Sequence, residues 1–217
     1  MSRLRQRFHF AVAMALVAAL GDAGVFADHA QLELLNATQF PEARCMDGSP
    51  GGYYLARNKT STAWVVELQG GGECATQKLC DAVASRGSPL ASSDYFPSTH
   101  SMSYYSVDDP VGNPLLRHWN RLFIPYCSQD LWTGTRTTAR SDTWGYYFSG
   151  HIILESILDH LKLSMSNATD IVFTGVSAGG IGVWPNVDWL AERLPHARGS
   201  AGASSTARSS ARRPSTC

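Results

Sequence analysis

After Ala27 the chain has no apolar run approaching the roughly 20 residues that span a bilayer, so no integral membrane segment is expected beyond that point. Charge of neither sign is in excess: Lys and Arg total 18, and Asp and Glu total 18. Nucleic acid and anionic membrane surfaces are therefore not expected partners. There is no Cys-x-x-Cys pair, which argues against a structural zinc site. The stretch 197–217 has no Val, Leu, Ile, Phe, Tyr, Trp or Met and no acid. It can bury almost nothing, so a disordered Ser/Ala/Arg-rich tail is expected there.

Elsewhere apolar residues suffice for a core. They make up 44% of the 217 residues, enough for one domain or a little more. Arg3, Arg5 and Arg7 precede an apolar run over 8–20, and Val25-Phe26-Ala27 offers small residues for cleavage. Residues 1–27 therefore read as a secretory signal peptide. Export gives weight to three sequons, at Asn36, Asn58 and Asn167. It also suggests disulfides among Cys45, Cys74, Cys80, Cys127 and Cys217, with one cysteine left over.

Short β-branched or aromatic runs over 53–55, 63–68, 122–126 and 171–174 read as strands. Helical spacing of apolar residues appears over 153–163 and 181–194, with Pro185 tolerable only near a first turn. Strand, helix, strand, helix from Leu122 onward implies parallel strands with a crossover helix. The polar stretch 85–114 reads as long loops. The expected class is α/β, a mostly parallel sheet with flanking helices over 28–196 and incomplete at its C-terminus. With later strands missing, the strand at Ile171 should have an open edge.

Gly175-Val176-Ser177-Ala178-Gly179 carries the chemistry. A G-x-S-x-G between a strand and a helix is a nucleophile elbow, whose tight turn lifts the serine hydroxyl above the sheet. Acyl transfer also needs donors for an oxyanion. Gly70-Gly71-Gly72 ends the strand at Ala63 and leaves backbone N–H groups uncovered. The expected donors are Ala178 with Gly71 and Gly72. Ser128, Asp130, Trp132 and Gly134 follow another strand, either as a cleft wall or as a surface turn. His100, His118, His151 and His160 read as surface or capping residues.

Several blocks resemble the Notum and pectin acetylesterase family. They are Cys45 through Leu55, LQGGGEC from Leu68, Phe123 through Ser128, Asp130 through Gly134, and GVSAGG from Gly175. Gly182 through Leu194 looks closer to the Notum branch. The resemblance covers roughly 35–196. It implies a secreted α/β-hydrolase cleaving acetyl or fatty acyl O-esters from a polysaccharide or a lipidated protein, without a cofactor or metal. By position it makes Ser177 the nucleophile and Gly71, Gly72 and Ala178 the oxyanion hole. It supports Cys74 pairing with Cys80 and Cys45 with Cys127, leaving Cys217 unpaired. Two departures stand out. Gly72 and Glu73 occupy positions where members often carry an aromatic. The family's Asp and His lie well beyond the elbow helix, so esterase activity near background is expected of these residues alone. Two other readings stand beside this one: a catalytically silent secreted relative that binds acyl or glycan ligands, and a reading-frame error after His196.

Overall fold

The computed structural model describes residues 29–85, 87–102 and 115–204. The segment 1–27 read as a signal peptide, Cys217 and 205–217 of the expected tail lie outside the described residues.

Seven strands form one mixed sheet among the described residues: β1 (His29–Leu34), β2 (Gly52–Ala56), β3 (Ala63–Leu68), β4 (Thr99–Ser101), β5 (Asn120–Ile124), β6 (Asp170–Val176) and β7 (Arg198–Ser204). Their order is β4-β1-β2-β5-β3-β6-β7. β5, β3, β6 and β7 are mutually parallel, whereas β4, β1 and β2 join antiparallel at the other side. The helices are α1 (Gln77–Ala84), α2 (Gly150–His160), α3 (Lys162–Met165) and α4 (Ala178–Arg193). This is an α/β-hydrolase-like sheet with flanking helices, as the strand-helix alternation implies.

The parallel strands are apolar because both faces need cover. Trp64, Val66 and Leu68 of β3 and Ile171 and Phe173 of β6 face the main core. There they meet Ile153, Leu154 and Ile157 of α2 and Val183 and Leu190 of α4. Val65 and Glu67 point to the opposite face, where Phe123 packs with Tyr54 and Met102. Cys45 bridges Cys127 and Cys74 bridges Cys80, at Cα separations of 4.9 and 5.0 Å.

Three expectations are corrected. Arg198–Ser204 is a strand, although disorder was expected from 197. A strand needs backbone partners more than apolar side chains: β7 pairs with β6 along its whole length, and Ala201 packs on the core. β6 therefore has no open edge; β7 is the edge strand. The stretch 85–114 is not wholly loop, since β4 lies within it and 103–114 is outside the described residues. Third, α4 starts at Ala178 and runs through Pro185, well past its first turn. Pro185 is solvent-exposed, so the carbonyl it cannot pair faces water. Just beyond it, Asn186 Nδ2 donates to the Gly182 carbonyl at 2.7 Å and to the Trp132 carbonyl at 2.9 Å.

Candidate active site

Ser177 stands between β6 and α4, at the carboxyl end of the parallel strands, with φ 55° and ψ −122°. A serine held at positive φ stores strain that its surroundings must enforce. The enforcement is close packing. A Cβ at Gly179 would lie 2.0 Å from the Leu68 carbonyl oxygen, and one at Gly70 would lie 2.2 Å from that of Val176. Neither position admits a side chain, so the end of β3 and the start of α4 close on the turn. The imaginary Gly70 Cβ also lies 3.0 Å from Ser177 Cβ, which sets the glycine loop against the serine. Ser177 itself is exposed.

The 70–74 loop is braced from several sides. Gln69 N donates to the Ile124 carbonyl at 3.0 Å, and Gln69 Oε1 accepts from Tyr126 N at 2.9 Å. Trp132 Nε1 donates to the Gln69 carbonyl at 3.0 Å, and Gln129 Nε2 donates to the Gly71 carbonyl at 3.3 Å. Cys74 N donates to the Gln129 carbonyl at 3.2 Å, and the disulfide to Cys80 closes the loop's far end. Gly71 is packed near Leu90 and Tyr126, whereas Gly72 has φ 78° and open space where a Cβ would be.

Gln129, Leu131 and Trp132 all have positive φ. Asp130 holds this strained stretch. Its carboxylate accepts from Ser128 Oγ at 2.7 Å, Trp132 N at 3.1 Å and Gly150 N, the first residue of α2, at 2.7 Å. Burial pushes the Asp130 pKa up, against the hydrogen bonds that pull it down. A Cβ on Gly134 would come within 2.2 Å of Asp130 Oδ2. The block from Ser128 to Gly134 is therefore a scaffold beneath the glycine loop, with Trp132 fully buried. Two readings of this block were open in the sequence, and the fold joins them.

A cavity of about 480 Å³ opens at Ser177 and runs along the sheet face over Val65, Glu67, Met102, Phe123 and Val176. Glu67 is pushed up from its ordinary 4.5 to about 7 by burial. His100 stacks on Phe123 at 3.9 Å and also lines the cavity; burial, then the nearby His29, lowers its pKa. The sequence did not reveal either residue as part of the site: Glu67 is a single acid in an apolar run, and His100 meets Phe123 only through the tertiary fold.

Other expected acid-base candidates are held elsewhere. His151 Nδ1 donates to Asn186 Oδ1 at 2.6 Å, since the Asn186 amide nitrogen is spent on two carbonyls. Asn186 is nine residues into α4, roughly 13 Å along the helix from Ser177. His118 sits before β5, at the opposite end of the sheet. His160 packs against Phe40 and Tyr53. Asp188 and Glu192 are exposed on α4, and His196 follows it. Among the described residues no histidine or carboxylate hydrogen-bonds the Ser177 hydroxyl. Of the sequons, Asn36 and Asn167 are exposed, whereas Asn58 is buried and its amide donates to the His118 carbonyl at 2.5 Å.

The pectinacetylesterase family model matches residues 23–205. This chain belongs to that family. It is 40% identical over 154 residues to the palmitoleoyl-protein carboxylesterase NOTUM of Mus musculus, covering 69% of this chain and 30% of the relative. Pectin acetylesterase 4 of Arabidopsis thaliana is 33% identical over 173 residues, covering 77% of this chain and 41% of the relative. A crystal structure of the Wnt deacylase Notum from Drosophila superposes with a TM-score of 0.70 at 29% identity, covering 79% of this chain and 51% of that one. The chain thus spans well under two thirds of the length of the relatives it matches.

Proposed function

We propose that this chain carries the nucleophile half of a secreted serine carboxylesterase. Ser177 attacks an O-acyl ester, the ester carbonyl oxygen becomes an oxyanion, and collapse expels the alcohol to leave an acyl-enzyme that water hydrolyses. Gly71, Gly72 and Ala178 supply backbone N–H groups to the oxyanion. The carrying observation is the strained Ser177 turn with the braced glycine loop against it. Membership of a family with an esterase named after acetylated pectin and others named after palmitoleoylated protein supports an acyl-ester substrate. The apolar cavity that opens at Ser177 suits the acyl portion.

Among the described residues after Ser177, Asp188, Glu192 and His196 lie along or beyond α4 and supply no base within reach of it, so turnover by the 217 residues alone stays near background. Export is part of this reading. The mass of protein recovered from culture medium, before and after deglycosylation, tests both removal of 1–27 and glycans on exposed Asn36 and Asn167.

The decisive comparison is p-nitrophenyl ester hydrolysis by a form extended with the C-terminal half of a relative. Ser177→Ala should lower its turnover by several orders of magnitude while leaving the fold intact. Activity surviving within about tenfold sinks the assignment.

A further inference from the structure

A second cleft of about 510 Å³ lies on the far part of the same glycine loop. Gln69 and Gly70 line the cavity at Ser177, whereas Glu73 and Cys74 line this cleft. Its opposite wall is the short turn Ser141–Thr143 followed by Trp144.

Trp144 is the unusual residue. Its backbone is left-handed, at φ 54° and ψ 26°, and its indole is exposed. Glycine would adopt that conformation without strain, and Gly145 next to it does so at φ 82°. A bulky aromatic at a strained, solvent-facing position points to a role for the ring rather than for the backbone. The ring is held and not loose. It stands edge-on to Phe148 at a centroid distance of 6.4 Å. The turn is pinned by Gly145 N to the Arg140 carbonyl at 2.8 Å and by Thr143 Oγ1 to the Tyr146 carbonyl at 2.7 Å. Across the cleft, the disulfide and Gln129 fix the Glu73 wall.

The cleft that Trp144 lines is also lined by Thr133, whose hydroxyl donates to the Asp130 carbonyl at 2.8 Å and can still accept, and by Arg136, Glu73 and Asp142. One flat apolar surface ringed by donors and acceptors matches a pyranose, which offers a C–H face and equatorial hydroxyls. Asp142 is paired with Arg140 at 3.3 Å, so the exposed carboxylates of Glu73 and Asp142 are balanced by the guanidinium groups of Arg136 and Arg140, and a rim without net charge favours an uncharged ligand.

We propose that this cleft is a subsite for an uncharged oligosaccharide, with Trp144 as its stacking platform and Asp142 and Arg136 as hydrogen-bonding partners. Its place in catalysis rests on the ester-hydrolase reading: the shared loop would set the sugar beside the ester at Ser177. Binding itself does not require hydrolysis.

The test is titration of the chain purified from culture medium with a β-linked galactotetraose, followed by the indole N–H signals in NMR spectra. One indole signal should shift saturably at millimolar sugar, and that signal should be the one missing from Trp144→Gly. Trp144→Gly should weaken binding by about tenfold or more. Glycine relieves the positive φ but gives up the packing on Phe148 and loosens the unfolded chain, so the remaining indole N–H signals are first checked to be unmoved in the variant, which shows that it is folded. Trp184→Ala, which removes an exposed indole on α4 outside the cleft, should bind as the parent does. Ser177→Ala should also bind unchanged, which separates this subsite from the hydrolytic reading. No saturable shift in folded protein, equal binding by Trp144→Gly, or tighter binding of a galacturonate tetramer would overturn the proposal.

Discussion

At the scale of single residues, position decides chemistry. Ser177 differs from the other described serines because its backbone is forced to φ 55° where β6 meets α4. Glu67 shows the same dependence on place. It is the penultimate residue of β3, between β5 and β6, where burial makes a carboxylate costly to ionise. With its pKa raised from 4.5 to about 7, the folded chain keeps a proton that the unfolded chain has released. Stability therefore falls as pH rises from about 4.5 to 7, by up to about 3 kcal/mol. The lowered pKa of His100 in the same cavity acts with the opposite sign, because the unfolded chain then binds the extra proton. Comparing Glu67→Gln with the parent isolates the carboxylate. In denaturant melts the variant should be more stable at pH 8 and close to equal at pH 4. An unchanged difference across that range would show that Glu67 is solvated.

At the scale of elements, the site is a junction of three strand ends and a scaffold. The elbow was legible in the sequence because close packing needs small residues, and small residues are visible as Gly175, Gly179 and the run at Gly70. The strands at Ala63, Leu122 and Ile171 were legible because two-sided burial demands continuous apolar runs. β1 and β4 were not, since they pair at the sheet's margin, where polar residues such as His29, Gln31 and Thr99 are tolerated. β7 was hidden because its Gly, Ala and Ser residues carry no periodic signal, and only the backbone of β6 recruits it. The Asp130 knot was half visible. Its residues stood out, but the partner at Gly150 is twenty positions away. That knot should matter to stability. Asp130→Ala strands Trp132 N, Gly150 N and the Ser128 hydroxyl, and should cost about 2–4 kcal/mol in chemical denaturation. A loss under about 0.5 kcal/mol would mean that water replaces the carboxylate freely.

At the scale of the whole molecule, the described residues cover the sheet well on one face, through α2 and α4, and only partly on the other. The open part holds the cavity that reaches Ser177, and the Trp144 cleft lies at the other end of the same loop. The chain therefore presents Ser177, the glycine loop beside it and two flanking recesses, while α4 carries Asp188 and Glu192 away from the serine. On the proposed reading, in which Ser177 is the nucleophile and Gly71, Gly72 and Ala178 the oxyanion hole, the chain should acylate slowly and selectively, because an oxyanion hole and binding alone retain some catalysis when a triad is incomplete. The most direct measurement is prolonged incubation of the folded 217-residue chain with a fluorophosphonate, followed by peptide mass mapping. The account predicts a single adduct, on Ser177, and none in Ser177→Ala. Labelling of another residue, or equal labelling of Ser177→Ala, would contradict it.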